Sequence, residues 1–283
     1  MKVGMNLFLW TDDPADEAHL PLYARLKDMG FDGIELPIFN PDPEKFAQLG
    51  AQLDDLGLER TAITICNPEN DPISPDASIR KAASERLERV VDSCEAVGSS
   101  LLGGPLYAAI GQFSGAGATE AEWERSLSVI GGVADYAARA NIKLSFEFLN
   151  RFEIYLLNST EDTARYVKDL DRPNVGIHYD TFHAHIEEKD SPHAIRSHAD
   201  AITHVHISEN DRSTPGRGQV AWDSTFDALV QSGYDGWLTI EAFGGTLPSL
   251  AAATKIWRQM FEDEETLARE GHDFIRHEWA KRI

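Results

Sequence analysis

"GYDGWLTIE" (residues 233–241) and, near the other end of the chain, "GFDGIEL" (30–36) read alike. Each begins with a glycine that ends a helix, turns tightly through Asp-Gly, and runs as an apolar strand to a glutamate. The same alternation fills the chain between them. Strand candidates fall at 2–10, 33–38, 60–66, 100–106, 143–149, 175–181, 202–208 and 237–243. Helical patterns separate them, clearest at 78–98 and 120–141, where apolar residues recur at three- and four-residue steps. Gly30, Gly57, Gly98 and Gly233 each stand just before a strand, as helix-ending glycines do. Near-apolar strands, each followed by a helix, imply a parallel sheet covered on both faces. Eight such units predict an α/β fold of the (β/α)8 TIM barrel type, and 283 residues suit one barrel. No second domain is visible over 1–283, and 262–283 reads as an added C-terminal helix.

The formal net charge of −21 sets this surface against nucleic acid and anionic membranes, which are bound through Lys and Arg. No apolar run reaches the ~18 residues that a membrane span requires. The start, MKVGMNLFLWTDD, reads as a first strand and not as a signal peptide. Cys66 and Cys94 form no CxxC pair, so a disulfide is not expected and a cytoplasmic location is.

The strand ends carry the chemistry. "LSFEFLNRFE" (144–153) is a strand that runs into Glu147, Asn150, Arg151 and Glu153. Strand two ends near Glu35, strand six at Asp180, strand seven carries His206 and strand eight Glu241. Active sites of such barrels form at these C-terminal ends. A buried carboxylate costs several kcal/mol unless it is paired or binds a metal. One such residue is accounted for by a salt bridge or a cap; Glu147, Asp180, His206 and Glu241 on successive strands point to a metal. Their oxygen-rich set with one imidazole suits Mn²⁺, Mg²⁺ or Co²⁺. His204, two before His206, lies on the same face a layer deeper and is not read as a ligand. His178 and His185 read as packing or surface residues.

"EFLNRFE" (147–153), "HYDTFHAHIEE" (178–188), "HVHISENDRSTPGRGQVAWD" (204–223) and "IEAF" (240–243) resemble the D-tagatose 3-epimerase family of ketose 3-epimerases, among the xylose isomerase-like barrels. The resemblance runs over nearly the whole chain and is strongest from 143 to 243. It implies one divalent metal per subunit, usually Mn²⁺, on Glu147, Asp180, His206 and Glu241. It also implies that Glu153, His183 and Arg212 hold the sugar, and it points to a homodimer or homotetramer. Trp257 and Trp279, expected to be exposed, and the C-terminal helix are candidate interface pieces. Asn150 and Arg151 are expected to shape the loop and pair with nearby carboxylates.

The reaction so implied is C3 epimerisation of a ketose through a metal-stabilised enediolate, with Glu147 and Glu241 as exchanging acid and base. Phe8, Trp10, Cys66, Tyr107 and Phe243, near strand ends, are candidates for an apolar wall around the substrate. The segments 64–76 and 103–113 depart in detail from the best-known ketohexose epimerases, which leaves the sugar open. "SENDRSTPGRG" and Gly244–Gly245 leave room for a phosphate, but acids crowd the same rim and favour a free sugar. The alternative is an aldose–ketose or inosose isomerase or dehydratase using the same site. A three-zinc DNA-repair endonuclease would need more histidines and a basic face. An inert binding protein need not keep such costly buried charge.

Overall fold

The structure, a computed structural model, describes residues 1–283. Eight parallel strands close into a barrel in sequence order: β1 (Lys2–Asn6), β2 (Gly33–Pro37), β3 (Glu59–Ile63), β4 (Leu101–Gly104), β5 (Lys143–Glu147), β6 (Val175–Asp180), β7 (Ile202–Ile207) and β8 (Trp237–Ile240). β1 closes the ring against β8, with Lys2 opposite Trp237 and Met5 opposite Ile240. All eight expected strands are present, but most are shorter than their apolar runs. After β1, for example, the Asn6 side chain accepts from the Phe8 amide and turns Leu7–Leu9 into a 3₁₀ turn, so the run continues apolar but leaves the ladder.

The outer layer is α1 (Leu20–Asp28), α2 (Pro43–Leu56), α3 (Ala77–Val97), α4 (Glu120–Arg139), α5 (Thr160–Leu170), α6 (Thr181–Glu187), α7 (Ser191–Ser197), α8 (Trp222–Gln231), α9 (Pro248–Thr254) and α10 (Glu264–Ala280). α2 and α3 end on Gly57 and Gly98, both left-handed, as the sequence reading expected. Thr119 and Glu122 form a reciprocal capping box that starts α4. α10 packs on the barrel wall: Leu267, Ala268 and Ile275 are fully buried, and Arg276 donates to Asp32 at 2.7 Å. Trp279 is buried within this packing, so it is not the exposed interface aromatic expected, whereas Trp257 is 73% exposed. No helix is long and apolar enough to cross a membrane.

The registers put the polar strand-end residues in one layer. Asn6 lies opposite Glu35, Glu147 opposite His178, and Asp180 opposite His206. A large buried apolar cluster forms the core beneath and around this layer. A smaller one, Phe8, Ile63 and Phe243, roofs it together with Phe39, Leu250 and Ile256.

Candidate metal centre and substrate cavity

Each polar residue of this layer is fixed by local structure. Asp180 ends β6 and caps α6: its Oδ1 accepts from the amides of Phe182 (2.6 Å) and His183 (3.0 Å). That leaves Oδ2 facing inward, 3.5 Å from His206 Nδ1. Glu147 Oε1 and Glu241 Oε1 approach the same nitrogen at 3.8 and 3.4 Å. The four residues offer ligand atoms that all lie within 4.8 Å of one another, every one of them buried. The structure therefore brings together the four residues the sequence reading selected.

The donor set fits a cation on its own terms. His206 Nδ1 is fully buried and has no hydrogen-bond partner. Its other nitrogen, Nε2, donates to Glu35 Oε1 at 2.6 Å, which directs the Nδ1 lone pair at the carboxylates. Glu35 is saturated: its carboxylate also accepts from His204 Nε2 (2.7 Å), Asn6 Nδ2 (2.9 Å) and Thr61 Oγ1 (2.9 Å). Burial would raise the Glu35 carboxyl, but His206 and His204 outweigh it and hold it well below the usual range. Burial would lower His206, yet Glu35 and Glu241 drive it well above an ordinary histidine. Carboxylates crowded round the His206 imidazole favour positive charge at the centre of this pocket.

The two candidate acid–base residues differ. Burial, then Glu241, push the Glu147 carboxyl well up, and no hydrogen bond relieves it. Glu241 is held down: burial raises it, but His206 and Arg212 outweigh that, and Arg212 Nη1 donates to its Oε2 at 2.5 Å. The Arg212 guanidinium lies against the Phe182 ring, 3.7 Å from its centroid, and 3.1 Å from His183 Nε2. Burial and then Arg212 push the His183 imidazole down to about 3. The Asn150 backbone N–H donates to His183 Nδ1 at 2.9 Å, and the lowered imidazole stays neutral between this donor and Arg212. Asn150 Nδ2 also donates to Glu153 Oε1 at 2.7 Å, and Arg151 pairs with Glu187 at 2.7 Å, the loop-shaping roles expected of both.

Above this layer lies a cavity of about 130 Å³ lined by Glu147, Glu153, His183, Arg212 and Glu241 on its polar side, and by Phe8, Phe39 and Phe243 on its apolar side. Phe8 stacks between the other two at 5.6 and 5.5 Å. Cys66 does not reach this wall: its Sγ turns to the Leu106 carbonyl, and neighbouring Ile65 lines the cavity instead. Tyr107 is likewise turned away, its hydroxyl on the Leu157 carbonyl, and Trp10 is not on the wall. The Glu35 network is what the sequence reading missed. Its signal was present as a glutamate in an apolar strand and an HVH triplet in another, and the barrel register joins them.

The profile of the xylose isomerase-like TIM barrel family matches residues 23–278. A ketose 3-epimerase of Arthrobacter globiformis is 34% identical over 278 residues, covering 98% of this chain and 96% of its own. A solved L-ribulose 3-epimerase superposes with a TM-score of 0.92 at 30% identity, covering 99% of this chain and 95% of that one. A D-allulose 3-epimerase from Methylomonas sp., solved in complex with D-allulose, gives 0.90 at 29% identity, with 98% and 97% covered.

Proposed function

Because this chain belongs to the xylose isomerase-like TIM barrel family and, within it, to the ketose 3-epimerases, we propose that it is a metal-dependent sugar epimerase that inverts C3 of a free ketose. The observation that carries this reading is the buried quartet Glu147, Asp180, His206 and Glu241 at the floor of a small cavity with an apolar wall. A divalent cation on that quartet, Mn²⁺ first and Mg²⁺ or Co²⁺ also suited, would supply Lewis acidity and a fixed positive charge beside the sugar's carbonyl.

Inverting C3 beside a C2 carbonyl means removing the C3 proton from one face and delivering one to the other. Glu147 and Glu241 are assigned these two tasks, exchanging them with the direction of reaction. Without a cation their carboxyls are driven in opposite directions, Glu147 up and Glu241 down, and a cation on the quartet would hold both ionised, so that either could take the C3 proton. The His183 imidazole, the Arg212 guanidinium and the Glu153 carboxylate are assigned the sugar oxygens, where they orient C3 between the two carboxyls. Phe8 and Phe243 grip the carbon chain and exclude water from the reacting face.

The exposed Phe152 and Trp257 support assembly as a homodimer or homotetramer, which light scattering would test. Two unpaired, buried cysteines support a reducing, cytoplasmic setting. The reaction is tested by incubating the Mn²⁺-loaded protein with a panel of free ketoses in D₂O and reading the sugars by NMR. Deuterium at C3 with a new C3 epimer is expected. Label at C1 with an aldose product would replace the epimerase by an isomerase, and no exchange in any free ketose would overturn the substrate class.

A further inference from the structure

The segment between β7 and α8, residues 208–221, folds around a single side chain. Glu209 is fully buried, and no cation pairs with it. Its Oε1 accepts from the backbone amides of Asn210 (3.0 Å), Gln219 (3.1 Å) and Val220 (3.0 Å). Its Oε2 accepts from the Gly216 amide (2.9 Å) and from the Trp222 indole (2.9 Å). Five donors from both ends of the loop therefore converge on one carboxylate. The chain wraps so closely that a Cβ on Gly218 would sit 2.5 Å from the Glu209 carboxyl carbon. A neutral glutamine has the same shape, but it would turn an NH₂ group toward amides that also donate.

Arg212 lies within this loop. Its amide donates to the Glu209 carbonyl at 2.9 Å, and its own carbonyl accepts from the Phe243 amide at 3.0 Å, just past β8. Between these two ties its backbone takes a left-handed conformation, φ +62°, unusual for arginine. That conformation is what aims the guanidinium at Glu241, Ser208 and His183.

We propose that Glu209 is the positioning residue of Arg212: it touches neither substrate nor metal quartet, and it acts by holding the loop in the one shape that presents Arg212 to the sugar. This rests on the assignment of Arg212 to the sugar made above. The test is a double-mutant cycle on the full-length, Mn²⁺-loaded enzyme with its fastest ketose. Glu209→Gln is expected to lower kcat/KM about 10²-fold in the otherwise native enzyme, with metal per chain unchanged. In an Arg212→Ala background the same change is expected to have almost no further effect. An equal loss in both backgrounds would make Glu209 merely structural and overturn the proposal. Trp222→Phe, which deletes one donor and keeps the carboxylate, covers the case in which Glu209→Gln does not fold. A loss of about tenfold or less, again absent without Arg212, is expected, and its persistence there counts against the proposal. Should no ketose turn over, the epimerase reading fails separately. The guanidinium ¹⁵N signals of Arg212, assigned with Arg212→Lys, then decide: they are expected to be restrained in the native protein and averaged in Glu209→Gln or Trp222→Phe, and an unchanged spectrum overturns the positioning role.

Discussion

Glu147 and Glu241 approach the same imidazole nitrogen, at 3.8 and 3.4 Å, yet their carboxyls are driven in opposite directions. The difference lies in His206, which is nearer to Glu241, and in Arg212, which hydrogen-bonds Glu241 and not Glu147. Changing either residue to glutamine is expected to cut kcat by about 10³-fold or more while circular dichroism stays native. Near-normal turnover by either variant would remove that residue from proton transfer. Glu35 acts one step behind. Glu35→Gln presents an NH₂ to one of two histidine N–H groups, so His206 or His204 must change tautomer. Metal affinity is expected to fall about 10- to 100-fold, read by competition with a chelator, and an unchanged affinity would free His206 from Glu35. The raised His206 gives the pH dependence its sign. A proton and a cation on the quartet would compete for one lone pair, so binding is expected to release the proton and affinity to weaken as pH falls below that raised value. The slope is about tenfold per pH unit for one proton. The quartet was legible in the sequence because charge interrupting an apolar strand is conspicuous. The Glu35 network was not, because its partners lie 169 and 171 positions away.

At the scale of elements, strand positions were legible and strand ends were not. Apolar residues such as Leu7, Phe8 and Phe148 continue past the last ladder bond, where they roof the cavity or fill the core instead of extending the sheet. That also explains Cys66. A residue just beyond a strand has no fixed phase of alternation, so its neighbour Ile65 faces the cavity and Cys66 does not. Gly104 shows what one such end requires. Its φ is +116°, and an added Cβ would lie 2.2 Å from the Thr64 carbonyl oxygen. Gly104→Ala is therefore expected to destabilise the fold by on the order of 3 kcal/mol in urea unfolding. Gly111→Ala is the control, with φ +75° and nothing within 4 Å of the added carbon. It should cost only the backbone strain, about 1 kcal/mol. Equal losses would mean that the Thr64 contact does not matter.

The whole molecule closes its barrel by pairing β1 with β8, so the quartet at the ends of β5 to β8 and the Glu35 network, which joins β1, β2 and β3 to β7, share one interior. Charge drawn together in this way costs folding free energy that a bound cation would return. Removing divalent metal with a chelator is expected to lower the thermal midpoint. Restoring Mn²⁺ at a hundredfold excess over its Kd should recover about 2.7 kcal/mol, seen as a shift in the melting curve. A melt indifferent to metal would exclude a native-state cation site. Barrel closure was readable from eight repeated units, and what lay beyond reach was which side chains meet across it. Asn6, Glu35, Thr61, His204 and His206 meet there with every oxygen of one carboxylate in use. Such a knot has an evolutionary signature. No member can drift alone without stranding another, so descent should preserve the five as a block or exchange several of them together, and lineages that differ at one position only should be rare.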